Sequence, residues 1–579
     1  MNMRMFHLRS IVPLTFLFFL SSFHCRTLSV VETTFGEVEG FEEETADGVP
    51  VFVYLGIRYG QAPDVYNRFE KPEQVEKWHF RHYATRFPAR CIPFHEDALS
   101  EDENFSEDCL FINIISPTRQ PEAGLPVLFY IHGGGFQIGS PAELGYKKIA
   151  RQVAAKGVVV VTVQYRLGPF GFFSLGDTEA PGNLGLWDLS LALHFVHEII
   201  GAFGGDASRI TVSGHSAGAS STSALLFSPH TQSLFSQAIE MSGSIFCEHS
   251  LSDAVVEESR KLAKELGCLK EGDSSHKIMA CLKIQTAHDI IKAVDKIGKN
   301  RRHPSMLKFH PRIDGLFFPH SLERLAKSAP AKRTLHGFTD IESALFVLHP
   351  ELEIVSGLIV KPVDWDSFSR ENLTSFIGEV IASEAEHGDE AENFRSALEE
   401  FYVNGEIESS SSSSFYLSRF VDLVSDLQFV IPTYQELEVK RDNGWPTWFY
   451  VVDYHIDTGR LDNYPLKGAV HADELRFVFD LEEGGASEGN DAFRRIFNEA
   501  LVNFVKKGDP STPSLTWPRL SASAPFVHAL LNPTPSIHQL PFRKEALDLW
   551  LLVLPKQVHS DALRRRLPGI PDTPRHQEL

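Results

Sequence analysis

The sequence predicts an α/β chain with a large, mostly parallel central sheet flanked by helices. Three observations carry this. Short apolar runs rich in β-branched residues recur along the chain, helical patterns separate them, and a Gly-x-Ser-x-Gly turn joins one run to a helix. The runs are Val127-Leu128-Phe129-Tyr130-Ile131, Val158 to Tyr165, Ile210-Thr211-Val212 and Trp448-Phe449-Tyr450-Val451-Val452. Continuous apolar runs of this length suit strands buried on both faces, as parallel strands are. Helix-like stretches run from Leu184 to Ile200 and from Ser220 to Phe227.

The chain has 579 residues, 43% of them hydrophobic, which is ample for a large core. A formal net charge of -21 argues against nucleic acid as a partner, because phosphate contacts need clustered Lys and Arg. Residues 1–25 read as a signal peptide: Arg4 and Arg9 precede an apolar run from Ile11 to Leu20, and small polar residues follow at Ser21 and Ser22. That run is shorter than a bilayer-spanning helix, and no later run is expected to span, so no transmembrane segment is expected. Residues 26–554 read as one domain and 555–579 as a tail. The tail ends His576-Gln577-Glu578-Leu579, similar to the HDEL-type address read by a retrieval receptor of the endoplasmic reticulum, with Gln577 in place of Asp. Ser409 to Ser414 is an unbroken serine run, expected as a mobile surface loop.

Gly214-His215-Ser216-Ala217-Gly218 follows the run at Ile210 directly and opens a stretch of small residues. A strand, a sharp turn and a helix is the context in which Gly-x-Ser-x-Gly presents a nucleophilic serine, as in the α/β-hydrolase fold. A tetrahedral intermediate also needs backbone N–H donors. One is expected from Ala217 and others from His132-Gly133-Gly134-Gly135-Phe136, which follows the strand at Val127. Gly133, Gly135 and Gly139 do not make a dinucleotide fingerprint, because the spacing is one residue off.

A serine nucleophile needs a base and an orienting acid, in the chain order Ser, acid, His. Among 25 histidines, His471 stands in the small-residue loop Gly468-Ala469-Val470-His471-Ala472-Asp473-Glu474. For the acid, Asp340 and Glu342 in Gly337-Phe338-Thr339-Asp340-Ile341-Glu342 are rivals that residue chemistry alone does not separate. The His471-Ala472-Asp473-Glu474 segment carries metal-ligand residue types, but nothing else supports a metal, and neither metal nor cofactor is expected.

Five cysteines remain after the signal peptide. Sequence proximity suggests Cys91 with Cys109 and Cys268 with Cys281, leaving Cys247 free, although spacing does not fix connectivity. Asn104-Phe105-Ser106 and Asn372-Leu373-Thr374 are glycosylation sequons; Asn532 is excluded by Pro533.

Together these residues resemble the type-B carboxylesterases, the family that includes cholinesterases. Ser106-Glu107-Asp108-Cys109-Leu110-Phe111 is similar to the family's second signature. Tyr165-Arg166-Leu167-Gly168 with Pro181-Gly182-Asn183, and Phe203-Gly204-Gly205-Asp206 before the serine turn, match in order. Pro311-Arg312-Ile313-Asp314-Gly315 looks most like nematode gut-type esterases. The resemblance implies a serine esterase acting on a small-molecule ester, with Ser216 as nucleophile, Glu342 as acid, His471 as base and Gly134, Gly135 and Ala217 as oxyanion donors. It prefers Glu342 because the family's Asp-Glu-Gly is similar to Ile341-Glu342-Ser343, with Ser343 departing from it, and it supports both disulfides. A choline-ester specialist is disfavoured, because no Trp lies between Cys91 and Cys109. The competing reading is a weakly active or inactive cholinesterase-like binding or adhesion protein. The lumen of the endoplasmic reticulum is the expected location, with secretion as the alternative.

Overall fold

Branched side chains such as those of Val159 to Val163 crowd a helix at χ1 and stand freely on a pleated surface, and this run is a strand buried on both faces. A computed structural model describes residues 27–63, 67–95, 104–298, 300–405, 413–455, 464–479, 487–560 and 562–563. The signal-peptide segment, serines 409–412 and the His576-to-Leu579 ending lie outside the described residues. Ser413 and Ser414 do not continue the expected loop; they open the helix Ser413–Ser425.

The strands are β1 (Leu28–Thr33), β2 (Gly36–Glu44), β3 (Pro50–Arg58), β4 (His82–Tyr83), β5 (Arg90–Cys91), β6 (Phe105–Ser106), β7 (Phe111–Pro117), β8 (Leu125–Ile131), β9 (Val159–Val163), β10 (Gly205–His215), β11 (Gln237–Met241), β12 (Arg333–Thr339), β13 (Thr447–Val452), β14 (His528–Leu531) and β15 (Ser536–His538). One sheet runs β1-β2-β3-β7-β9-β8-β10-β11-β12-β13-β14-β15, with β4 beside β2; β5 and β6 pair separately. From β9 to β14 every neighbour is parallel. Antiparallel strands finish both ends. The register sets Gly214 opposite Ile131 and Met241 opposite both His215 and Gly337, so the central carboxyl ends are level.

Alternation along β8 divides the core. Val127, Phe129 and Ile131 join a layer with the helices Leu184–Ile199 and Ala217–Phe227. Leu128 and Tyr130 face the opposite layer, which the helix Glu488–Lys507 closes with Phe493, Phe497 and Phe504. Much of the chain's phenylalanine is spent in these layers. Packing continues past Leu554, where Val558 and Leu563 are buried.

One later stretch among the described residues has the length and composition to span a bilayer. Helical chain from Leu184 to Phe203 is 20 residues long and apolar enough by composition, but 61% of that window is buried inside the protein. It also carries Asp188, fully buried, whose carboxylate receives Arg166 at 2.6 Å. That pair ties the helix to the segment after β9. Both disulfides join the pairs expected, Cys91–Cys109 and Cys268–Cys281, and Cys247 is a buried thiol.

Removing one partner of a buried ion pair strands the other's charge. Asp188→Ala is therefore expected to cost about 3–5 kcal/mol in denaturant unfolding. A shift within about 0.5 kcal/mol, the size of an ordinary surface change, would show that the Arg166 guanidinium finds water instead.

Candidate active site

In a parallel sheet, a crevice opens at the carboxyl ends where adjacent strands send their chains to opposite sides. The chain leaves β8 for β9 on one side and β10 for β11 on the other, so the crevice lies between β8 and β10. The glycine loop 132–135 leaves the end of β8, and Ser216 leaves the end of β10.

Ser216 has φ 57° and ψ −126°, a sparsely populated conformation for a residue with a side chain. Such strain costs about 1–3 kcal/mol and persists only where the surroundings impose it. Here its N–H donates to the Met241 carbonyl at 2.9 Å, and its carbonyl accepts from Ser220 N–H at 2.9 Å. A Cβ at Gly214 would lie 2.2 Å from the Gly218 carbonyl, and one at Gly218 would lie 2.2 Å from the Ile131 oxygen. Strand and helix close on each other only because both positions are glycine.

The loop after β8 packs against this turn: a Cβ at Gly133 would lie 3.1 Å from Ser216 Cβ. Gly134 has φ 110° and Gly135 has φ 61°. The Gly134 carbonyl accepts from the N–H groups of Gln137 and Ile138, which folds the loop back. The N–H groups of Gly134, Gly135 and Ala217 donate to no protein acceptor among the described residues. Ala217 is the first residue of its helix, where backbone N–H groups have no intrahelical partner and the helix dipole favours negative charge.

His471 reaches the same place from the turn that precedes the helix Leu475–Phe479. Its Nδ1 lies 2.5 Å from Glu342 Oε2, and its N–H donates to the Glu342 carbonyl at 3.3 Å. Glu342 is fully buried, and its Oε1 accepts from Thr339 N–H at 2.8 Å. Three rings pack on the imidazole: His215 at 4.5 Å, Phe429 at 4.8 Å and Phe346 at 5.0 Å between centroids. His215 immediately precedes Ser216, so the imidazole stands beside the serine turn.

Asp340 does something else. Its Oδ1 accepts from Ala469 N–H at 2.6 Å, and its own N–H donates to the Val452 carbonyl at 2.9 Å. It ties β12 to the loop that presents His471, and burial pushes its carboxyl up to about 7. Ser343, which stands where the family pattern has glycine, is accommodated: its N–H donates to Ser425 Oγ at 3.0 Å and its hydroxyl to Gln428 Oε1 at 2.9 Å.

Three residues at the site carried no separate signal in the sequence. Glu474 is fully buried, its Oε1 accepts from Ser242 Oγ at 3.1 Å, and His215 Nε2 lies 3.9 Å from the same oxygen. Burial, reinforced by the Glu342 charge, pushes the Glu474 carboxyl up to about 8. Burial, with His471 adding to it, holds the His215 imidazole well below the usual histidine range, so it is neutral. Glu474 falls three residues after His471, a spacing a tight turn brings together. His215 and Ser242 reach it only because β10 and β11 are neighbours.

One cluster has the residue types of a metal site: Glu240, His336 and Glu436 offer ligand atoms within 4.8 Å of one another. The Lys440 ammonium contacts Glu240 and lies 2.7 Å from Glu436, so a side-chain cation already stands among these acids, and burial with the Glu436 charge holds the Glu240 carboxyl well above the usual range. Ser223 and Ser244 hydroxyls complete the shell of Glu436.

Residues 27–550 match the family described as the Carboxylesterase family. Gut esterase 1 of Caenorhabditis briggsae is 34% identical over 499 residues, covering 85% of this chain and 87% of that protein. Gut esterase 1 of Caenorhabditis elegans is 34% identical over 501 residues, with the same shares. Bile salt-activated lipase of Bos taurus is 30% identical over 509 residues, 85% of this chain and 81% of that one. With that match over most of its length, a large parallel sheet and a strained serine turn beside a histidine–glutamate pair, the chain belongs to the carboxylesterase family and is a carboxylic ester hydrolase.

Proposed function

We propose that hydrolysis runs through an acyl-enzyme on Ser216, with His471 as base, Glu342 as its acid, and the N–H groups of Gly134, Gly135 and Ala217 receiving the oxyanion. The observation that carries this reading is the 2.5 Å contact of His471 Nδ1 with Glu342 beside the serine turn. With Nδ1–H engaged by the carboxylate, Nε2 is the nitrogen left to take a proton.

Ser216 Oγ forms a bond to the ester carbonyl carbon while its proton passes to His471. The carbonyl electron pair becomes the oxyanion, and each donor aimed at it is typically worth roughly 10²–10³ in rate. Collapse breaks the bond to the alcohol oxygen, which takes the proton back from His471. Water then repeats the cycle on the acyl-serine and releases the acid. Glu342 holds the tautomer and stabilises the imidazolium. Glu474, neutral near pH 7, does not compete for that role: environment sets two carboxyls apart.

Apolar side chains support a substrate with apolar parts. Phe346 and Phe429 flank His471, and a Cβ at Gly135 would lie 3.1 Å from Leu307. The relatives' names, gut esterase and bile salt-activated lipase, agree with lipid-like or dietary esters. A non-catalytic binding role is the lesser reading, because the strain at Ser216 and the buried Glu342 are retained. We also place the chain in the lumen of the endoplasmic reticulum, with its HQEL ending as the ligand of a retrieval receptor and its sequons glycosylated. The amino-terminal signal-like segment and the exposed Asn104 and Asn372 support this.

A fluorophosphonate is expected to add once, at Ser216, with p-nitrophenyl acetate hydrolysis lost in step; Ser216→Ala should lose roughly 10⁴-fold or more. No adduct on folded protein would make the binding role the leading one. Glu342→Gln should lower kcat by roughly 10³–10⁴-fold, far more than Asp340→Asn, and the reverse ranking would move the acid to Asp340.

Glu474 also sets a pH dependence. Its carboxyl is raised in the folded state, so the native protein keeps a proton that the unfolded chain releases above about pH 4.3. The stabilisation this gives is complete below that pH and is lost as pH rises through about 8. Glu474→Gln lacks this slope, so its melting temperature should gain on the parent's between about pH 4.5 and 8. Parallel curves for the two proteins would show Glu474 ionised throughout. Deleting His576 to Leu579 should send the protein to the medium, and unchanged retention would show that the ending is not an address.

A further inference from the structure

The antiparallel end of the sheet carries a feature that ester hydrolysis does not use. A cleft of about 380 Å³ opens between β3, β4 and the β5–β6 pair, within the size range of small-molecule sites. Two other cavities, one beside Cys91 and one behind Tyr450, hold only about 10 Å³ each, room for no more than a water. The large cleft is lined by Tyr83, Arg86, Phe87, Asp108 and, at its rim, Asn104. Tyr83 is 67% exposed, an aromatic face turned to solvent beside a polar wall. Asn104 is exposed too, and its backbone is fixed: its carbonyl accepts from Arg90 N–H at 2.8 Å, and the Cys91–Cys109 disulfide closes the loop that holds it.

We propose that this cleft is the seat of an N-linked oligosaccharide carried on Asn104, with the N-acetylglucosamine core stacked on Tyr83. The proposal rests on the lumenal, glycosylated reading given above. The modification joins Asn104 Nδ2 to C1 of the first sugar; the bond from C1 to the pyrophosphate of a lipid-linked oligosaccharide donor breaks, and the amide loses one proton. The cleft then supplies what that sugar needs. A pyranose has one face of C–H groups, which packs on an aromatic ring, and a rim of hydroxyl and acetamide groups. Arg86, which has no ion-pair partner among the described residues, and Asp108, half-exposed in its pair with Arg58, offer donors and acceptors for that rim. The tether makes the local concentration high, so weak contacts suffice to hold the sugar down. Asn372 is the internal contrast. It is exposed at the third position of the helix Arg370–Phe376, where its Oδ1 accepts from Ser369 N–H at 2.8 Å, and it borders none of these three cavities.

The test uses the full chain, made in eukaryotic cells whose glycans are kept as oligomannose forms. Native protein is digested with an endoglycosidase that cuts between the two core sugars, and site occupancy is followed by peptide mapping. The glycan on Asn104 should resist release while that on Asn372 is removed, and both should be released after denaturation. Tyr83→Ala should speed native release at Asn104 about tenfold, the size expected for one aromatic contact, and leave Asn372 unchanged. In parallel, Tyr83 should be nitrated by tetranitromethane several-fold faster in Asn104→Gln than in the parent. Equal native release at the two sites, or a Tyr83→Ala protein that keeps the difference, would overturn the seat in the cleft. An unmodified Asn104 peptide would overturn it together with glycosylation at that site, and an occupied Asn372 would then leave the lumenal reading standing.

Discussion

The site depends on one backbone constraint, the positive-φ turn at Ser216. A serine at φ 57° is unstable on its own terms, and the packing around it makes it compulsory. The chain must leave β10, reverse and enter a helix that lies on the same sheet. Gly214 against Gly218, and Gly218 against the end of β8, leave no space for a β-carbon. A third contact comes from the segment after β11, where a Cβ at Gly243 would lie 2.3 Å from the Ser216 carbonyl oxygen. The core on both sides of the sheet holds these strands at their spacing, so the turn is held by the fold as a whole.

Around that turn, environment gives similar groups different tasks. Three acids follow the strands within a short radius of His471. Glu342 meets the imidazole and accepts from a backbone N–H. Glu474 meets a serine hydroxyl and a neutral histidine in a dry pocket and keeps its proton. Asp340 is spent on the amide of Ala469, holding the loop that carries His471.

Deeper under β11 and β12, Glu240, Glu436, Lys440 and His336 form a separate buried cluster. Its lysine contacts both acids, and Ser244 links it to the segment after β11 that also carries Ser242 and Gly243. Burying such a group is costly, and the ammonium and the two serine hydroxyls offset that cost at Glu436. The loop after β11 is thus gripped from below while it supports the serine turn from above.

What could be read in the chain were features written within a few consecutive residues. Apolar β-branched runs announced the parallel strands, and Gly214 to Gly218 announced the turn, because a strand, a tight reversal and a helix are set by local steric rules. Boundaries were less legible: β10 begins at Gly205, well before its apolar run, since Asp206 and Ser208 lie at a polar strand end. The following helix begins at Ala217, because Ala217-Gly218-Ala219 has no periodicity to read. The sequence by itself determined the fold class, the serine, the glycine loop and a histidine in a small-residue loop. Residue chemistry left Asp340 and Glu342 open and only the resemblance to the family preferred Glu342; the tertiary structure shows which acid meets that histidine, since the two leave the same strand two residues apart and differ in where the turn points them. It alone also brought His215, Ser242 and Glu474 together, because these contacts cross strands that are neighbours in the sheet and distant in the chain.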